Sequence, residues 1–201
     1  TKLYITGGAG ALYDGVSPNG TSYKPSEIQQ VHQAFGRAYE LPNAGAHNET
    51  CANVGSTLWN WRMFQTTAEA KYADLMENTL FNSVLSGMNL NGKGYFYTNP
   101  LSNTKGLPFN LRWPNVRQEY ISKSNCCPPN AIRTLAEIGS YLYSKNADGI
   151  WFNMYSSSDA NTKLGKEEIQ LTQTTNYPWD GDVNISITAA PSDEKQLNFR
   201  V

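Results

Sequence analysis

Apolar residues in this chain change their spacing twice. Between residues 51 and 87 they recur every three or four positions, as on helices that bury one stripe. Val54, Leu58, Trp61 and Met63 to Phe64 form the first stripe. Tyr72, Leu75, Met76, Leu80 and Val84 form the second, within a helix spanning Ala68 to Val84, and Gly87 is its expected stop. Trp59 and Trp61 are both expected in the helical core. Tyr95 to Thr98 reads as a short extended segment. A third helix is predicted directly after Cys126-Cys127, because Pro128 and Pro129 are tolerated in a first turn whose N–H groups lack intrahelical partners. Its apolar face runs Ile132, Leu135, Ile138, Leu142. Beyond Gly149 the period becomes two, through Ile150, Phe152 and Met154, then Val183, Ile185 and Ile187, then Leu197 and Phe199, which predicts strands.

Before residue 50 the pattern is broken by Gly7, Gly8, Gly10, Gly15, Pro18-Asn19-Gly20, Pro25 and Pro42-Asn43. One short helix is predicted from Ser26, an N-cap with Glu27 in the first turn, to about Gln33. Loops this extensive inside a domain usually carry function. The fold class is therefore mainly α with C-terminal β, with a boundary near residues 146–149. No internal repeat is visible, but three helices fit within a longer helical array. Leu3 to Thr6 at one end and Gln196 to Val201 at the other both read as interior sequence, so a fragment of a longer protein is expected.

Composition narrows the function classes. Sixteen Lys and Arg against 17 Asp and Glu leave a net charge of −1, which argues against a phosphate-tracking surface and so against a nucleic-acid partner. Charged residues make up 16% of the 201, and Asn, Ser, Thr and Gly fill the difference. No apolar run approaches the ~18 residues of a membrane span, so no membrane partner is expected. Gly7-Gly8-Ala9-Gly10 lacks the Lys-Ser/Thr pair of a phosphate loop.

The three cysteines lie at two places where a loop hands over to a helix: Asn48-Glu49-Thr50-Cys51 and Asn125-Cys126-Cys127-Pro128-Pro129-Asn130. Adjacent cysteines at a helix N-terminus feel the positive end of its dipole, which favours thiolate. Glu49 and Cys51 can share a face only if that stretch is extended. With Cys126 and Cys127 they offer three sulfurs and one carboxylate, the coordination number Zn²⁺ prefers. Fully deprotonated, the set would carry −4 against +2, leaving a labile, nucleophilic thiolate. Spacing alone leaves two other readings open: buried thiols acting as small hydrophobes, or a strained vicinal disulfide. His47, two residues before Glu49, is placed to support a metal ligand. The sequon Asn48-Glu49-Thr50 overlaps this region, which argues against a glycan there. Reduced thiols favour a reducing compartment or metal protection and do not decide between them.

Several segments together resemble glycoside hydrolase family 127, typified by bacterial β-L-arabinofuranosidase. They are Tyr39-Glu40-Leu41-Pro42-Asn43, Asn48 to Asn53, Leu58 to Met63, Leu80 to Gly87, Tyr97-Thr98-Asn99-Pro100-Leu101 and Cys126 to Asn130, with Tyr177-Pro178-Trp179-Asp180-Gly181 further on. Glu-Thr-Cys followed by a later Cys-Cys-Pro is the most specific combination. The resemblance implies the C-terminal part of an (α/α)6 catalytic barrel over residues 1–148 and the first strands of a β-sandwich over residues 149–201. It implies zinc held by Glu49, Cys51, Cys126 and Cys127, with Cys126 as the nucleophile of a retaining mechanism. Tyr97 matches a tyrosine that lines the sugar site. The implied substrate is an oligosaccharide or glycan of plant type that yields β-L-arabinofuranose.

One position departs from the family. Its general acid/base glutamate lies sixteen residues before the zinc-binding glutamate, and here that position is Gln33. An amide cannot donate and retrieve a proton at neutral pH. Glu40 and His32 are the nearest titratable substitutes, Glu40 as the catalytic candidate and His32 with Gln33 as substrate contacts. The departure leaves room for a relative acting on another, acidic sugar, or for a non-catalytic homologue with a structural zinc knot.

Overall fold

A computed structural model describes residues 2–11, 35, 38–43, 46–103, 105, 116–119 and 126–201. The helix expected from Ser26 to Gln33 lies outside them, and so do His32 and Gln33. The chain divides into two compact units, Thr1–Leu135 and Ala136–Val201. Long helices lie in the first and paired sheets in the second.

In the first unit, helix α1 spans Thr50–Thr67 and α2 spans Ala70–Thr79. Ala68, in the left-handed region at φ 54°, closes α1 by donating its N–H to Phe64 O at 2.8 Å. The chain re-enters a helix two residues later, and α1 and α2 pack as a helical hairpin. The buried face of α1 is Thr50, Asn53, Val54, Thr57, Asn60, Trp61 and Phe64, a three-four stripe in which polar residues outnumber apolar ones. Leu58 is consequently only half-buried, and Trp59 is 67% exposed rather than packed in the core. It sits off the stripe that Trp61 occupies.

The second helix is shorter than the apolar pattern implies. After Thr79 a π turn, Leu80–Val84, and a 3₁₀ turn, Leu85–Gly87, continue the path, and Ala73, Met76, Leu80 and Val84 are almost fully buried. Gly87 ends the run for a packing reason: a Cβ there would press on Asn99 Oδ1 and Thr50 Oγ1. Gly7 and Gly8 likewise form a tight turn against this hairpin, not an anion cradle. Gly7 N–H donates to Tyr4 O at 2.9 Å, and Thr79 Oγ1 donates to Gly7 O at 3.1 Å. A side chain at Gly8 would collide with Asn48 Oδ1 and Ser83 Oγ.

Strands β1 (Gly94–Tyr95) and β2 (Gln118–Glu119) pair antiparallel. Helix α3 spans Cys127–Glu137 and a 3₁₀ turn follows over Ile138–Tyr141. Its buried face is Cys127, Pro128, Ala131 and Thr134, whereas Ile132 is 52% exposed. The expected apolar face was therefore rotated, because a small residue and a threonine, not the largest hydrophobes, take the inner positions.

The second unit holds two three-stranded sheets. In one, β3 (Tyr143–Lys145) pairs antiparallel with β4 (Gly149–Phe152), which pairs in parallel with β8 (Gln196–Phe199). In the other, β5 (Ser158–Leu164), β6 (Glu167–Thr175) and β7 (Val183–Ala189) form an antiparallel meander. Ile150 and Phe152 from the first sheet and Leu164, Ile169 and Leu171 from the second make one core. Phe152 stacks on Phe199 at 4.8 Å between ring centroids and meets Tyr143 edge-on at 5.4 Å. Gly149 is required where β4 crosses β8, since a Cβ would strike the Gln196 backbone.

Candidate metal centre and nucleophile

Three stretches far apart in sequence converge on one point. Glu49 stands at the N-cap of α1 with extended backbone, φ −71° and ψ 133°, so the helix begins only at the next residue. That is the condition under which Glu49 and Cys51 can face the same way. The segment before it is laced to the 97–99 segment: Thr50 N–H donates to Tyr97 O at 2.9 Å and Asn99 N–H donates to Asn48 O at 2.8 Å. Cys126 and Cys127 arrive at the start of α3.

The donor atoms of Glu49, Cys51, Cys126 and Cys127 all lie within 4.8 Å of one another. Cys51 Sγ is 3.3 Å from Cys127 Sγ, and Cys126 Sγ is 3.8 Å from Cys127 Sγ. Tetrahedral zinc with Zn–S bonds near 2.3 Å sets its sulfurs roughly 3.8 Å apart. The donor set thus fits a zinc ion both in chemistry and in spacing, with the Cys51–Cys127 pair slightly tight. Burial divides the sulfurs: Cys127 is buried, Cys51 half-buried and Cys126 exposed.

Electrostatics divide them differently. The hydrogen bond with Cys127, aided by Cys126 and Asn130, pulls Cys51 down to about 7 against the opposing effect of burial. Burial first, and then Cys51, push Cys126 up to about 11. Cys127 is pushed up by its hydrogen bond with Cys51 and then by burial. Within the thiol cluster alone Cys51 is thus the sulfur whose thiolate is favoured, and a cation held among the donors would favour the thiolate at Cys126 as well.

Around these donors lies a buried polar frame. His47 is fully buried with Nε2 3.3 Å from Glu49 Oε2, the support its spacing suggested, and its ring meets the Tyr97 ring edge-on at 6.1 Å. The Tyr97 hydroxyl is held above its ordinary pKa by burial first, then by the negative charge of Glu49 and the sulfurs, so it remains a proton donor. Asn53 Nδ2 donates to Asn48 Oδ1 at 2.8 Å while Asn53 Oδ1 accepts from Ala9 N–H at 2.8 Å. The glycine turn is thereby tied to the residue preceding Glu49. Asn48 is fully buried, which leaves no room for a glycan on its sequon.

Sequence reasoning passed over Asn53 and Asn130, whose amide Nδ2 donates to Cys51 Sγ at 3.2 Å. Asn130 carries a legible signal, since it lies three residues after Cys127 on the same helix. Glu40 is described and half-buried, and it does not belong to the Glu49–cysteine group.

Comparison with known proteins agrees with this constellation. Residues 1–140 match the family model "Beta-L-arabinofuranosidase, GH127 catalytic domain", and residues 149–201 match "Beta-L-arabinofuranosidase, GH127 middle domain". A non-reducing end β-L-arabinofuranosidase of Bifidobacterium longum subsp. longum is 30% identical over 199 residues, 96% of this chain and 27% of that protein. Among solved structures, a glycoside hydrolase superposes with a TM-score of 0.89 at 51% identity, covering 100% of this chain and 33% of its own. A family 127 β-L-arabinofuranosidase from Geobacillus stearothermophilus T6 does so with 0.76 at 34% identity, covering 100% and 29%. The chain thus spans a third or less of the length of these relatives. With the family model running through the glycine turn, the hairpin and the cysteine cluster alike, the chain belongs to glycoside hydrolase family 127.

Proposed function

We propose that this chain is the part of a retaining glycoside hydrolase that carries its nucleophile and its zinc site, acting on β-L-arabinofuranosides of plant-type glycans. Residues 1–148 would complete an (α/α)6 barrel and residues 149–201 would begin a β-sandwich. The observation that carries the reading is the convergence of one carboxylate and three sulfurs within 4.8 Å, one of those sulfurs being exposed. The names of the relatives, both curated and structural, support the sugar.

Glu49, Cys51, Cys126 and Cys127 would hold the ion, which when bound supplies positive charge that keeps thiolates ionised at neutral pH. Cys126 Sγ attacks the anomeric carbon; a C–S bond forms, the glycosidic C–O bond breaks, and the departing oxygen takes a proton. Water then attacks the same carbon, giving a proton back to the group that protonated the departing oxygen, and the C–S bond breaks to restore the thiolate, giving net retention. Here sulfur stands where most retaining enzymes have a carboxylate. Cys127 and Cys51, the less exposed thiols, orient rather than react. Tyr97, a protonated hydroxyl beside the cluster, contacts the sugar, and His32 and Gln33, which lie outside the described residues, are assigned as further substrate contacts. Glu40, a half-buried carboxylate upstream of Glu49, is assigned as the proton donor in this reading, because this chain has Gln33 where the family has its glutamate.

Zinc content of the full natural protein that contains these residues, measured beside Cys126→Ala with thiol accessibility scored in both, tests this. One zinc per chain, with Cys126 alkylating slowly until a chelator is added, is the expected result. No zinc and a fully active Cys126→Ala protein would overturn it.

A further inference from the structure

Asn130 makes a hydrogen bond to one of the three sulfurs. Its Nδ2 donates to Cys51 Sγ at 3.2 Å, and its Oδ1 accepts from Arg133 Nη2 at 2.6 Å. Arg133 lies one turn further along α3, the spacing at which two side chains on a helix face meet. With the amide oxygen taken by the guanidinium, the amide nitrogen is turned toward sulfur. Asn130 is itself fixed from behind, since its backbone N–H donates to Cys126 O at 3.0 Å. Among the described residues no N–H donor reaches Cys126 Sγ, whose neighbours are the other two sulfurs, Cys127 Sγ at 3.8 Å and Cys51 Sγ.

From this asymmetry we infer that the Arg133–Asn130–Cys51 chain is a positioning device. It quiets Cys51 and so leaves Cys126 as the reactive sulfur of the cluster. The inference rests on the metal-site reading above. A hydrogen bond to a thiolate lowers the energy of the sulfur lone pairs and weakens them as a nucleophile, and a donor polarised by a guanidinium does so more strongly than a lone amide. Exposure alone would not suffice, because Cys51 is half-buried and adjoins the same space. Asn130 touches no reacting atom in this scheme; it acts through Cys51.

Cobalt(II) loaded in place of zinc in the full natural protein gives a readout independent of turnover. In Asn130→Ala the sulfur-to-cobalt charge-transfer band should move to lower energy, and metal affinity should fall by about 10–100-fold, as for other groups that orient a metal ligand. Iodoacetamide labelling of the loaded protein, mapped by peptide mass spectrometry, should favour Cys126 over Cys51 by about tenfold in the wild type and by about threefold or less in Asn130→Ala. Arg133→Leu, at an exposed position, should shift both readouts the same way by a smaller amount. An unshifted band and an unchanged labelling ratio in both variants, each holding cobalt at wild-type stoichiometry, would overturn the inference. A wild-type protein that takes up neither cobalt nor zinc would overturn the metal-site reading first, and this inference with it.

Discussion

Cys51 Sγ and Cys127 Sγ lie 3.3 Å apart although they are 76 positions apart in sequence. The contact ties the start of α1 to the start of α3, so whatever happens at the sulfurs is felt by both helices. If zinc joins them, its binding free energy becomes stability of the fold, and removal of the metal is expected to lower the melting temperature. At a free concentration a thousandfold above Kd the linkage is about 4 kcal/mol. Thermal melts of the full natural protein with and without a chelator measure it, and coincident curves would count against a resident metal.

The glycine turn supports the centre from the other side. Gly8→Ala would force a methyl group onto Asn48 Oδ1 and Ser83 Oγ, which are held between the turn and the hairpin. A cost of about 1–3 kcal/mol is expected from such overpacking. Because Asn48 precedes Glu49, zinc affinity should drop as well. Denaturant unfolding paired with chelator competition tests both, and a destabilised variant with unchanged zinc affinity would separate the turn from the site.

Asn53 joins Ala9 N–H, Asn48 Oδ1 and Ser83 O in the core. Asn53→Leu leaves the buried Ala9 N–H and the Asn48 side chain without those bonds. The loss should be about 2–4 kcal/mol, more than a surface asparagine could cost. Unfolding free energy is the measurement. A change below about 0.5 kcal/mol would mean the network is ornamental to folding.

The second unit gives a control. Phe152 is fully buried between Tyr143 and Phe199, and Phe152→Ala should cost about 3–5 kcal/mol. Zinc stoichiometry should be unaffected at temperatures where the variant is folded. Loss of metal together with this core would show that the site depends on the sheets.

How much of this was legible in the sequence depended on which residues did the packing. The stripe through Met76, Leu80 and Val84 was visible because apolar side chains fill it. That of α1 was visible only in part: Val54, Trp61 and Phe64 lie on it, but Asn53, Thr57 and Asn60 fill the other inner positions and bond to backbone and neighbours, while Trp59 faces outward. Strand β5 escaped notice because Asp159, Asn161 and Lys163 leave Leu164 as its sole large hydrophobe. Conversely, Ile132 promised a core contact that Ala131 and Thr134 make instead. For the site, residue types were readable and an extended Glu49 was only a stated condition, while convergence across the intervening residues came from family resemblance, not spacing. The Arg133–Asn130–Cys51 chain required coordinates, since no local pattern says which sulfur an amide will meet.

The central claim is that Cys126 forms the bond to sugar. Rapid quenching of the full natural protein with an activated aryl β-L-arabinofuranoside, followed by peptide mass spectrometry, addresses it directly. A pentosyl adduct on Cys126 that is absent from folded, zinc-containing Cys126→Ala, with turnover lost in that variant, is the predicted result. An adduct on a carboxylate, or turnover persisting in Cys126→Ala, would contradict the account.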